Sequence, residues 1–177
     1  ATKQEITARK NCAVQTSIIL GTKEPTFFDF PDNRMDSVDF LDIIQSIEDL
    51  IIKKKPTIIY THFSGDLNID HHLTHRAVLT ACRPQSNSTV TEIYCFEVLS
   101  STEWNSVTSP HFIPNVFVNI SDYWDRKLEV LKVYERELRE SPHSRSYQCL
   151  KALSVYRGET NGFDFAEAFV LERMLIG

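Results

Sequence analysis

The chain has no CxxC pair, and its four cysteines, Cys12, Cys82, Cys95 and Cys149, stand far apart. That pattern argues against a zinc ribbon and a disulfide scaffold. Cys82, Cys95 and Cys149 lie in apolar helix or strand patterns, so buried free thiols and a reducing, cytoplasmic compartment are expected. Excess basic charge is also missing. Lys and Arg number 19 against 24 Asp and Glu, for a net charge of −5, which gives no sign of a nucleic-acid surface. No apolar run approaches the roughly 20 residues that span a bilayer, and the longest, around residues 43–52, is broken by charge. No signal peptide, internal repeat, low-complexity segment or linker is visible. What remains is 177 residues, 42% hydrophobic and 24% charged, enough for one globular domain with a full core.

Thr2 followed by Glu5 has the form of a capping box, opening a helix that runs to about Leu20 and stops at Gly21. Pro25–Phe30 reads as a short strand and Pro31-Asp32-Asn33 as a turn. Asp36 or Ser37 is the expected cap of the next helix, whose apolar positions Phe40, Ile43, Ile44, Ile47, Leu50 and Ile51 recur at helical spacing. Lys53, Lys54 and Lys55 suit its C-terminal dipole. Strands are expected at Thr57–Thr61, Glu92–Val98 and Asn115–Ile120. Helices are expected from about His71 to Arg83, from Ser121 or Asp122 to about Arg139, and from Ser144 to Arg157. Residues 165–176 fit either a helix or a strand. The alternation predicts an α/β domain with a mostly parallel sheet covered by helices. Such domains usually open on a strand, but this sequence opens on a helix. The expectation is that it starts partway into a larger domain, leaving sheet edges open to pairing with another chain, so an oligomer is compatible with it.

Four of the six histidines fall between His62 and His75, interleaved with Asp66, Asn68 and Asp70, on the crossing from a strand to a helix. In an open α/β sheet that crossing is where ligands and metals are held, and imidazole with carboxylate suits Zn²⁺. His71 and His75, four apart, can share a helix face, but no glutamate follows His71 as in a zincin, so a peptidase reading is weak. Asp70 can cap the helix or orient a ring nitrogen. Asp66 and Asn68 suit a turn, and Gly65 permits positive φ. Arg9, Arg34 and Glu97 are candidate ligand-side residues but read first as surface or structural groups, and His111 and His143 receive no role.

These residues carry a resemblance. Tyr60-Thr61-His62, Gly65-Asp66-Leu67-Asn68-Ile69-Asp70-His71, Thr74-His75-Arg76-Ala77-Val78 and Ala81-Cys82-Arg83-Pro84 resemble the PIG-L (LmbE-like) deacetylase family. Leu20-Gly21 with Phe28–Asp32, then Phe112–Phe117, Lys127-Leu128 with Tyr134, and Tyr156-Arg157-Gly158 with Gly162 and Ala166–Phe169 extend the likeness over essentially all 177 residues. The resemblance implies a Rossmann-like three-layer α/β sandwich, one domain over residues 1–177, and removal of an N-acetyl group from an N-acetylglucosamine-type sugar conjugate by a mononuclear zinc. It makes His71 a zinc ligand and Asp70 its acidic neighbour. Asn68 stands where the family has a second histidine, and an asparagine amide can donate a hydrogen bond but not a proton at neutral pH. His62 is then the candidate donor to the oxyanion. The family's HPDD motif, with two further zinc ligands and the general base, is nowhere in the sequence. Little zinc and little activity are therefore expected from these 177 residues, since zinc wants at least three protein ligands. The alternative is a non-catalytic module that binds a sugar or nucleotide-sugar.

Overall fold

The Thr2–Glu5 capping box forms as its sequence requires. Thr2 Oγ1 accepts from the Glu5 N–H at 3.2 Å and the Glu5 carboxylate accepts from the Thr2 N–H at 2.7 Å. This opens α1, Lys3–Leu20, and Gly21 closes it at φ 67°, a left-handed conformation that glycine adopts without a Cβ penalty. The computed structural model describes residues 2–177. Its remaining helices are α2 (Phe40–Lys54), α3 (Ile69–Ala81), α4 (Trp124–Val133) and α5 (Tyr147–Glu159). Its strands are β1 (Ile58–His62), β2 (Glu92–Phe96), β3 (Val116–Asn119) and β4 (Ala166–Met174).

The sheet order is β1-β2-β4-β3. β1 and β2 are parallel, and β4 is antiparallel to β2. The bonds from Asn115 N to Phe169 O and from Ile120 N to Phe165 O run in opposite directions along the two segments, so β3 opposes β4. Three strands thus share one direction and β4 runs against them. The α/β class expected from the alternation is the one observed, with a sheet that is mostly but not wholly parallel.

The chain folds as two compact units, residues 1–29 with 118–167 and residues 30–117 with 168–177. In the first unit α1 packs against α4, and Cys12 Sγ donates to Val133 O at 3.3 Å. Trp124 stacks flat on Phe165, their centroids 4.3 Å apart. In the second unit α2 and α3 pack together and α3 covers β1. Register places Ile59 with Ile93 and Thr61 with Cys95 on one face of the sheet. Ile93 and Cys95 are fully buried there, and Val78, Cys82 and Val90 join Ile93 in the core, with Ile47, Ile51 and Ile59 against them.

Several local expectations are corrected. Residues 25–30 form no strand, because no neighbouring strand offers a ladder and Pro25 has no N–H to give one. Side chains hold the segment instead: Lys10 Nζ lies 2.6 Å from Asp29 Oδ1 and over the Phe27 ring. Asp39, not Asp36 or Ser37, caps α2 by accepting from Leu41 N, and Met35–Ser37 makes a single 3-10 turn before it. The helix expected to reach Arg139 ends at Val133 and breaks into a 3-10 turn over Glu135–Glu137. Residues 166–174 are strand, since β2 pairs with them. Cys82 and Cys95 are buried thiols as expected, but Cys149 is only partly covered.

Gly158 near the end of α5 has no room for a side chain. A Cβ there would come within 2.7 Å of Phe163 O and 2.8 Å of Phe165 Cα. Gly158→Ala should therefore destabilise the protein by about 1–3 kcal/mol through overpacking, measured as a lower midpoint in urea unfolding, although alanine is the better helix former.

Candidate functional site

β1 delivers His62 at its last position, and α3 begins seven residues later with Asn68 as its N-cap. The loop between them is organised by Asp66, whose side chain is fully buried. One of its oxygens accepts from Asn68 N at 2.9 Å and, in a short contact, from Ser101 Oγ. The other accepts from Thr102 Oγ1 at 2.8 Å. The first also lies 2.9 Å from His71 Nδ1, though without the alignment of a full hydrogen bond. Burial alone would raise the carboxyl's pKa. The His71 contact and the donors Ser101, Asn68 N–H and Thr102 outweigh it and hold Asp66 well below the usual carboxylate range.

The backbone of the loop is tied down as well. Asn105 Nδ2 donates to Gly65 O and, at 3.2 Å, to Asp66 O, while Leu67 N donates to Ser101 O. His72 Nε2 makes a short contact with Asp66 O. Gly65 does not adopt positive φ. It is required for space, because a Cβ would stand 2.1 Å from Pro110 O.

The His62 and His71 rings stack with centroids 4.0 Å apart and planes inclined by 19°. Burial first, then His71 and His75, push His62 down to about 4, against a smaller opposing pull from Asp66. His62 is therefore neutral at neutral pH. Its Nδ1 is buried and has no hydrogen-bond partner. His75, which sequence places on a helix face, is buried, and its Nδ1 lies 2.9 Å from His62 O.

Asn68 at the N-cap and Asp70 in the first turn of α3 face the turn at 33–35. Asp70 accepts from Asn33 N at 2.6 Å and Met35 N at 3.0 Å. Asn68 Oδ1 caps α3 by accepting from Asp70 N, and its Nδ2 donates to Asn33 Oδ1 at 2.9 Å. The structure thus brings His62, Asp66, Asn68, Asp70 and His71 into one cluster. It adds Asn33, Ser101, Thr102 and Asn105, which no motif marks and which only their polarity could have suggested.

The cluster does not by itself make a zinc site. His71 has an imidazole to give, but every Asp66 oxygen is engaged and Asp70 is turned to Asn33 and Met35. Among the described residues, the group of three His, Cys, Asp or Glu donors close enough to share an ion is His75, Cys95 and Glu172, which does not include His71. Zinc usually takes at least three protein ligands.

The family model for PIG-L, GlcNAc-PI de-N-acetylase, matches residues 2–82, which include this loop. The likeness read in residues 112–169 lies beyond that match. No curated protein matches the sequence significantly. Among solved structures, a conserved protein of Thermus thermophilus is similar with a TM-score of 0.73 and 19% identity, over 100% of this chain and 77% of the other. The N,N'-diacetylchitobiose deacetylase of Pyrococcus horikoshii has a TM-score of 0.71 and 14% identity, over 94% of this chain and 64% of its own. A deacetylase of the teicoplanin pathway has a TM-score of 0.64 and 15% identity, over 95% and 74%. At such identities these likenesses establish a shared fold.

Two measurements check the site. A folded His62 with depressed pKa binds fewer protons than the unfolded chain between pH 4 and 6.5. Its contribution is complete above the unfolded value and is lost as pH falls toward 4. Urea unfolding at a series of pH values should show stability falling across that window, with a smaller slope in His62→Gln. Gly65→Ala should force the loop off Pro110, seen as a lower unfolding midpoint and as shifted NMR signals for Asp66 and His71.

Proposed function

We propose, from the match of residues 2–82 to the PIG-L family model, that the chain is built for hydrolytic removal of an N-acetyl group from an N-acetylglucosamine-type sugar conjugate. The single observation that carries the proposal is the paired imidazoles of His62 and His71 held beside a buried, fully engaged carboxylate at the end of a parallel strand. The loop stands where α/β folds bind ligands. The family description names an N-acetylglucosamine compound and one structural neighbour is a diacetylchitobiose deacetylase, which favours a small acetylated amino-sugar conjugate as substrate. No helix among the described residues is long and apolar enough to cross a membrane. The buried free thiols of Cys82 and Cys95 favour a reducing, cytoplasmic compartment.

Amide hydrolysis needs an activated water, which a zinc ion supplies when three or more protein ligands hold it. His71 is the ligand this loop contributes. Asp66, beside His71 Nδ1, fixes the ring so that Nε2 faces outward. His62 is neutral, so it serves as a hydrogen-bond donor to the oxyanion that forms when water adds to the acetyl carbonyl, rather than as a proton source. Asn68 has a second amide hydrogen beyond the one given to Asn33, available to the same oxygen. Asp70 holds the 33–35 turn against the loop and so shapes the rim around the acetamide.

With one ligand at this loop, we expect the 177 residues alone to hold zinc weakly there and to turn over little. The shortage of donors at His71 is also what favours the second reading, a module that binds a sugar or nucleotide-sugar without cleaving it. Acetate release from N-acetylglucosaminides separates the two. It is measured for the 177-residue chain and for a form extended ahead of Ala1 by a strand and an HPDD loop, each with and without His71→Ala. Background release from the first and zinc-dependent release from the second, abolished by His71→Ala, are expected. Binding of the sugar without release from the extended form would favour the binding module, and release that ignores His71 would refute the assignment of this loop.

A further inference from the structure

One cluster of ligating side chains lies apart from the His62–His71 pair and is not used by the proposed reaction. His75 of α3, Cys95 of β2 and Glu172 of β4 bring one ligand atom each within 4.8 Å of one another. The Cys95 sulfur is 3.6 Å from His75 Nδ1 and 3.8 Å from Glu172 Oε2. All three residues belong to the second compact unit.

Glu172 owes its position to a break in the ladder. Tyr94 pairs with Leu171 and Ile93 with Arg173, so Glu172 is the extra residue of a β-bulge. Bulges re-aim side chains, and they concentrate near functional sites. Here the bulge sets a carboxylate against a fully buried thiol in the middle of β2. A buried thiol beside an imidazole and a carboxylate is an unexpected choice for a core position that any small apolar residue could fill.

We propose that His75, Cys95 and Glu172 form a cation site that takes a borderline or soft divalent ion of the Zn²⁺ and Co²⁺ class. The donor set of one nitrogen, one sulfur and one oxygen suits those ions and disfavours Mg²⁺ and Ca²⁺. His75 and Cys95 form a buried floor and Glu172 an exposed edge, so an ion would enter from the Glu172 side, with water as the fourth ligand that zinc usually takes. Burial, then the Glu172 carboxylate, push the Cys95 thiol up to about 12, so without a cation the sulfur keeps its proton. On binding, a sulfur–metal bond replaces the S–H bond and the proton leaves to solvent. The resulting thiolate and the carboxylate together balance the charge of the ion.

His75 Nδ1 currently meets His62 O at 2.9 Å. Coordination through Nδ1 moves the ring proton to Nε2 and releases that carbonyl. Occupancy is thereby sensed at the end of β1, one residue before the functional loop begins. The site does not depend on the deacetylase reading, because it requires neither His71 nor any acetylated sugar.

The test is titration of the full chain with Co²⁺, followed by near-ultraviolet sulfur-to-cobalt charge-transfer absorption, then Zn²⁺ competition. One equivalent of absorbing Co²⁺ is expected. The band should vanish in Cys95→Ser, persist in His71→Ala, and require at least about tenfold more Co²⁺ in Glu172→Gln. No band in the parent chain, or a band that survives Cys95→Ser, would overturn the proposal. Should Cys95→Ser fail to fold, Glu172→Gln decides, since that side chain is exposed: unchanged affinity for Co²⁺ and Zn²⁺ would refute the site.

Discussion

The buried carboxylate of Asp66 is the interaction on which the loop depends. An unpaired charge at that depth would be costly, and the protein surrounds it with donors from three places: its own loop, the start of α3, and the 101–102 segment after β2. Each donor is thereby fixed as well. Asn68 is held at the N-cap, His71 is turned inward by its Nδ1, and Ser101 and Thr102 clamp a segment that has no regular structure. Removing the side chain would leave those donors facing a void, so the cost of losing it falls on the whole loop.

The imidazole pair follows from this arrangement. His71 stacks on His62 because α3 starts where Asp66 allows, and the low pKa of His62 follows from its burial and from the ring beside it. A site of this kind binds by pre-set geometry. In the proposed reading it contributes one metal ligand, His71, and a set of neutral hydrogen-bond donors. The second donor cluster, at the β4 bulge, meets that chemistry through His75 and the His62 carbonyl.

The sequence made legible what depends on neighbours in the chain. The Thr2–Glu5 capping box, the stop at Gly21, the apolar stripe of α2, and the strand, loop and helix around the histidines were all readable, because each rests on contacts a few residues apart. Contacts across the fold were not. Residues 25–30 read as a short strand but have no partner strand. Residues 166–174 become strand only because β2 pairs with them. Asp70, the acidic neighbour of His71 in sequence, is drawn to the 33–35 turn, and Asp66 stands beside the ring instead. Nothing in the local pattern ranks one aspartate above the other; the hydroxyls of Ser101 and Thr102, some 35 residues away, decide it. Gly65 in a loop suggests a positive φ, whereas its requirement is space against Pro110, another contact set by tertiary structure.

The central claim is that Asp66 sets the state of His71. The most direct measurement is the tautomer of the His71 ring by long-range ¹H–¹⁵N NMR, in the parent chain and in Asp66→Asn. With the carboxylate beside it, the proton is expected on Nδ1 and the Nε2 lone pair outward, and in Asp66→Asn that preference should weaken and the His62 and His71 signals should move together. An unchanged His71 tautomer in a folded Asp66→Asn variant would contradict the claim.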